Sequence, residues 1–228
     1  MAPDLDPEAA RPTMLAWSLV IPVKVLAQAK SRLTGLGGQR RAEFALAMAA
    51  DTVAAAVRAD TVAAVLVVSD DPEVRAIAAD LGAIVLADTP AGGLNQAMAH
   101  GAAYSLDRWP ERGRAGLAGD LPALRSHELT VALAAAARLR TAFVPDADGT
   151  GTTLYTAAPG AQFRPQFGPA SRDRHLATGA VELGAAELAA VELGEGLAGL
   201  RRDVDTINDL RAAAKIGLGE RSSALWPT

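Results

Sequence analysis

The chain has 228 residues, a net charge of −4, half of its residues apolar and no cysteine. That supplies ample material for a buried core and excludes a disulfide scaffold, a thiolate nucleophile and a cysteine-ligated metal. The acidity argues against a duplex-DNA reader, which presents a basic face. No apolar stretch reaches the ~18 residues of a membrane span. Residues 1–13 carry acids and three prolines where a secretion signal needs a basic start and an apolar run. The expectation is a soluble, cytoplasmic protein with neither a nucleic-acid nor a membrane partner.

In chain order, the apolar run 17–23, WSLVIPV, reads as a buried strand, and a polar, glycine-bearing loop follows from Lys24 to Gly38. Helical spacing of apolar residues over 39–57 predicts a helix, and 62–68, VAAVLVV, a second strand. Ser69 or Asp70 is placed to cap a helix over 72–80, with Pro72 in its first turn. Leu81-Gly82 stops that helix, and 83–87 is the third strand. Gly92-Gly93 opens a helix to about Leu106, and 114–118 forms a weaker fourth strand. A helix over 126–139 and strands at 141–144 and 153–157 come next, the last two separated by a glycine- and acid-rich loop. Residues 167–175 read as a turn entering a helix, 180–200 as short apolar pieces, and 206–216 as a final helix capped at Asp205-Thr206. Strands alternating with helices imply right-handed crossovers and a mostly parallel sheet. The expected architecture is a Rossmann-like α/β domain over 17–218, with tails at 1–16 and 219–228.

Ligands of open α/β sheets bind beyond the carboxyl ends of the strands, so the residues after each strand are the candidates. Lys24 and Lys30 are two of only three lysines among 22 basic residues. With Ser31 and Arg32 they suit a triphosphate, although no Walker sequence is present and a solvated loop would also account for them. Asp120, at the end of the fourth strand, suits Mg²⁺ held against phosphate oxygens, and Asp205 is a second candidate ligand; each could instead be a helix cap. Asp146 and Asp148 read as loop-formers within reach of a metal. The run Gly149–Thr153 is rich in small donors that can cradle an anion. Ser171, Arg172 and Arg174 could hold a phosphate or carboxylate. His100 and His127 read as structural, and His175, beside the arginines, as the histidine nearest to function. No catalytic triad motif appears. Nucleotidyl transfer to a phosphate needs none, because a phosphate monoester, with a second pKa of ~6, is already largely ionised at neutral pH.

Taken together, VIPVKVLAQAKSRL at 20–33, GGLNQA at 92–97, GDLPAL at 119–124, DGTGTT at 148–153, FGPASRDRH at 167–175 and DVDT at 203–206 resemble one family. It is the guanylyltransferase family that activates phosphoenolpyruvate or 2-phospho-L-lactate in biosynthesis of coenzyme F-420, and the resemblance spans roughly 17–216. It implies a nucleotidyltransferase fold of the glycosyltransferase-A type and transfer of GMP from GTP to the substrate phosphate. GTP phosphates would lie near Lys24, Lys30, Ser31 and Arg32, with Lys30, Arg32 and Asp120 acting on the transferring group. Guanine would lie near Gly93 and Asn95. Asp120 and Asp205 match the family's Mg²⁺ positions, and Thr153, Gly168 and Ser171 its phosphoenolpyruvate contacts, with Arg172 and Arg174 nearby. The Ala- and Arg-rich composition favours phosphoenolpyruvate by association with actinobacteria. A nucleotidyltransferase for another phosphorylated acceptor and a regulatory nucleotide-binding module are the alternatives. No coiled-coil seam fixes an oligomeric state, and a homodimer is compatible with the sequence.

Overall fold

A valine-rich central segment sets the architecture. In the computed structural model, which describes residues 15–26, 33, 37–89, 92–184 and 196–226, β1 (Trp17–Pro22) has β2 (Val62–Val68) on one side and β4 (Gly113–Leu117) on the other. Beyond β2 lies β3 (Ile84–Leu86). Beyond β4 come β6 (Thr152–Ala157), β5 (Thr141–Pro145) and β7 (Val181–Glu182), giving the order β3-β2-β1-β4-β6-β5-β7. Only β6 runs against the rest. The carboxyl ends of β1 to β5 and the start of β6 therefore share one rim.

Side chains alternate across this sheet. Trp17, Leu19 and Ile21 face the larger core with Val65, Val67 and Leu117, against α1 (Gly38–Val57) and α4 (Ser126–Ala136). Val20, Leu66 and Val68 point the other way, toward α3 (Leu94–Arg108), which comes so close that a methyl group on Gly101 would overlap Val20. Abundant alanine serves this close packing: α1 buries Ala45, Ala47, Ala49, Ala50 and Ala54 to Ala56 in a single run. The helix expected to reach 139 stops at Ala136. An alanine run carries no stop signal of its own.

The helix α2 (Pro72–Asp80) has the bounds that the sequence suggested, but neither Ser69 nor Asp70 caps it. Its cap is Asp71, whose Oδ1 accepts the N–H groups of Glu73 and Val74 at 3.0 and 3.2 Å. Oδ2 accepts the Leu26 N–H at 2.9 Å, so one buried carboxylate fixes both a helix start and the chain leaving β1.

The C-terminal part departs further from the expectation. After α5 (Ser171–Ala177) come α6 (Ala198–Arg201), α7 (Ile207–Ile216) and α8 (Glu220–Leu225). Residues 219–226, read as part of a tail, pack on α1. The Asp51 carboxylate accepts the Arg221 and Ser222 N–H groups at 3.1 and 2.8 Å, acting as a cap supplied from a distant helix. Trp226 meets Phe44 edge-on at 6.4 Å, and Val204, Leu210 and Ala213 join Phe44 and Met48 in a second core. A six-residue helix has too little periodicity to announce itself, and its cap lies 170 positions away. Replacing Asp51 with Ala leaves two N–H groups without acceptors, at about 1–3 kcal/mol each where buried. The Asp51→Ala variant should unfold at clearly lower urea, with an unchanged slope; an unaltered midpoint would show that α8 contributes nothing to stability.

Candidate active site

At the rim, β4 gives way to Gly119-Asp120. Gly119 lies against the Pro22 carbonyl, 3.1 Å from where a Cβ would sit, so the loop passes directly over the end of β1. The Asp120 carbonyl accepts the Val204 N–H at 3.1 Å, and this backbone bond draws the Asp203-Val204-Asp205 segment onto the end of β4. From the other side Arg201 clamps the same segment to β5, its Nε and Nη2 donating to the carbonyls of Pro145 and Asp146 at 3.2 and 2.9 Å. Thr206 then caps α7, with its hydroxyl and the Asp209 carboxylate exchanging bonds across the first turn.

The result is a gathering of negative charge. Asp203 has its pKa raised to about 7, first by burial and then by the carboxylates of Asp120, Asp146 and Asp205. Asp146 is committed to its own loop, accepting the Thr150 and Gly151 N–H groups at 2.9 and 2.7 Å. Asp148 pairs with Arg202 at 3.4 Å. Both therefore shape the loop, as their glycine-rich surroundings suggested. Asp203 is the residue that sequence reading passed over in favour of Asp205; the Asp-x-Asp spacing was its one signal. Among the described residues no three carboxylates converge into a ready-made cation cage.

The facing wall is built by β6 and the 160–177 segment. Thr153 is wholly buried, with a hydroxyl that has no hydrogen-bond partner, while its carbonyl accepts the Ala118 N–H at 2.8 Å. Ser171, also buried, opens α5 after Gly168 (φ 115°) and Ala170 (φ 53°), the one non-glycine residue at positive φ among those described. The Arg172 N–H donates to the Thr150 carbonyl at 3.2 Å, joining the two anion-friendly loops; its guanidinium pairs with Glu182 at 2.8 Å. Arg174 reaches back over Gly168 to the Phe167 carbonyl at 3.2 Å. The side-chain amide of Asn95 is used in both directions on Phe167, donating at 3.0 Å and accepting at 2.8 Å, so it ties the start of α3 to this wall. Gly93, at φ 88°, turns the chain into that helix.

His175 is buried beneath the wall, stacked on Tyr155 with ring centroids 4.7 Å apart. Its Nε2 accepts the Gln166 N–H at 2.9 Å, which puts the proton on Nδ1, and Nδ1–H donates to Thr152 Oγ1 at 2.9 Å. Burial, reinforced by Arg174, lowers its pKa to about 4. It is a neutral positioning group for residues 166–168. His100 and His127 are exposed on α3 and α4. Lys24 is exposed just beyond β1; Lys30, Ser31 and Arg32 lie outside the described residues, between the buried Leu26 and Leu33. A groove of about 510 Å³ between α3 and residues 160–164 opens beside Arg114, at the start of β4, whereas Asp120 follows its end.

Two pH effects of opposite sign follow. In metal-free buffer the raised pKa of Asp203 contributes stability that is full below about 4 and lost as pH rises through about 7. Asp203→Asn should flatten that slope and melt above wild type at alkaline pH; equal melting curves would exclude the repulsion. The depressed pKa of His175 contributes stability that is present near neutrality and lost as pH falls toward about 4. Its imidazole resonances should stay in the neutral form down to about pH 5; titration near the ordinary histidine value would show the ring to be accessible.

Comparison with known proteins identifies the family and the fold. The sequence model of the guanylyl transferase CofC-like family matches residues 17–183. The phosphoenolpyruvate guanylyltransferase of Thermomonospora curvata is 52% identical over 218 residues, covering 96% of this chain and 92% of its own. That of Streptomyces avermitilis is 50% identical over 211 residues, covering 92% and 94%. A solved structure described as a nucleotide-diphospho-sugar transferase, from Desulfovibrio desulfuricans, superposes with a TM-score of 0.59 at 16% identity, over 89% of this chain and 97% of that one. It supports the nucleotidyltransferase-like fold expected from the sequence. The chain belongs to the CofC-like guanylyl transferase family.

Proposed function

We propose that this family member transfers the guanylyl group of GTP to phosphoenolpyruvate, giving enolpyruvyl-diphospho-guanosine and pyrophosphate, and does so in the cytoplasm as a step toward coenzyme F-420. The observation that carries the reading is the rim itself: mutually repelling aspartates opposite a wall of small donors and arginines. Relatives about half identical over nearly the whole chain, named for phosphoenolpyruvate, support this acceptor over 2-phospho-L-lactate.

A phosphate oxygen of the acceptor forms a bond to the α-phosphorus of GTP, and the bond from that phosphorus to the β-phosphate bridging oxygen breaks. The acceptor needs no general base, since its phosphate is ionised near neutrality with a second pKa of ~6. The residues available have to orient two polyanions and offset their charge. Lys24, Lys30, Ser31 and Arg32 would take the triphosphate. Thr153, Gly168 and Ser171 would take the acceptor, with Arg174 over Gly168 as the nearer of the two arginines. The unpartnered Thr153 hydroxyl suits a phosphate or carboxylate oxygen. Gly93 and the backbone around Asn95 would border the base. Asp120 and Asp205 would hold Mg²⁺, which when bound supplies positive charge to the phosphate oxygens.

Pyrophosphate release should require GTP, Mg²⁺ and phosphoenolpyruvate together, with 2-phospho-L-lactate and CTP as the comparison arms. Asp120→Asn should lower kcat by about a hundredfold or more with an unchanged circular-dichroism spectrum. Wild-type turnover in that variant would remove the carboxylate from the mechanism. Equal turnover with 2-phospho-L-lactate would overturn the choice of acceptor.

A further inference from the structure

A second concave site lies behind the rim. A pocket of about 330 Å³ sits between the later turns of α1, the start of α4 and residues 218–221, and its lining includes Arg58, Arg125 and Arg221. Two acids also line it. Asp51 spends both carboxylate oxygens on the N–H groups of Arg221 and Ser222, and Glu220 is exposed. Among the described residues none of the three guanidiniums pairs with a carboxylate, whereas Arg108, Arg112, Arg172 and Arg202 all do. Three arginines against two acids around one pocket leave it locally basic, in a chain of net charge −4.

The pocket is also partly preorganised. Arg125 is held in place, donating from Nη2 to the Gly217 carbonyl at 3.1 Å and leaving its other N–H donors for a ligand. Ser126 and His127 open the eleven-residue α4, and their N–H groups have no acceptor within the described structure. Guanidiniums and free first-turn N–H groups match the oxygens of a phosphate better than any apolar or cationic ligand.

We propose that this pocket is an anion site distinct from the active-site rim, taking a small phosphate compound of at least two negative charges through Arg58, Arg125 and Arg221. It shares a wall with the rim, because residues 120–125 run from Asp120 to Arg125. That wall is pinned by the Leu121 N–H on Thr52 Oγ1 at 3.0 Å and by the Gly219 N–H on the Pro122 carbonyl at 2.7 Å.

The test reads binding without turnover, so its result is separate from that of the proposed reaction. Inorganic pyrophosphate and phosphoenolpyruvate are titrated in turn into the metal-free full chain at constant ionic strength, following the amide resonances of Ser126 and His127. A saturable shift is expected with at least one, and the stronger arm identifies the source of the phosphate. In Arg58→Ala/Arg221→Ala the affinity reported by these amides should fall at least tenfold, and Arg58→Lys/Arg221→Lys should keep part of it. The Arg221 backbone bond to Asp51 survives both changes, and a melting curve verifies the fold. Guanylyl transfer at saturating substrate should be unchanged. Shifts that never saturate, that fall only on residues 119–120 and 203–205, or that persist in the alanine variant would overturn the site.

Discussion

Repulsion among carboxylates is the constraint around which the rim is organised. Asp120, Asp203 and Asp205 would separate if they sat on free loops, since like charges in a partly buried setting raise each other's free energy. They are held through backbone carbonyls instead. The Val204 N–H reaches the Asp120 carbonyl, and Arg201 grips the carbonyls of Pro145 and Asp146. Arg202 adds positive charge toward Asp148 and Asp209. Backbone carbonyls anchor the segment. Burial and the neighbouring carboxylates together raise the Asp203 pKa to about 7.

The opposite wall follows the same logic with neutral groups. His175 would be a poor cation there, buried against Tyr155 and beside Arg174, and its depressed pKa keeps it uncharged. In that state its two nitrogens differ, one accepting from Gln166 and one donating to Thr152, so the ring joins β6 to the loop above it. Asn95 does the equivalent work from α3, matching both polar groups of Phe167. Residues 166–168 are thus fixed from two faces of the fold before any substrate arrives, which favours binding by reducing the ordering still to be done.

These particulars show how far the sequence could be read. The valine-rich strands and the glycine-bounded helices were legible because their signals are local: period, caps and stops. The rim was legible for a topological reason, since parallel strands must deliver their carboxyl ends to one edge. What escaped was set by distance along the chain. Asp71 caps α2 in place of Ser69 or Asp70, and the same carboxylate holds Leu26, 45 residues earlier. α8 depends on Asp51, and Asp203 gains its character from Asp120, Asp146 and Asp205, a grouping that its spacing to Asp205 only hints at. His175 stood out in sequence for the arginines beside it; burial, which sequence does not display, makes it a neutral positioning group.

The C-terminal segment carries more of the site than its weak sequence signals suggest. The family match ends at residue 183, yet Asp203 and Asp205 come later, in a segment that the Val204 N–H and Arg201 tie to the ends of β4 and β5. The helices that follow are bound in turn to α1, by the shared core of Phe44, Met48, Leu210 and Ala213 and by the Asp51 cap. The α1 helix also lines the main core under β1, so the aspartates are tied to the sheet twice: directly at the end of β4, and indirectly through a layer of small helices on its covering helix. An acid pair tethered at one point could swing away from its neighbours and relieve the repulsion. Tethering it at two points prevents that relief, so the repulsion that raises the Asp203 pKa is built into the fold.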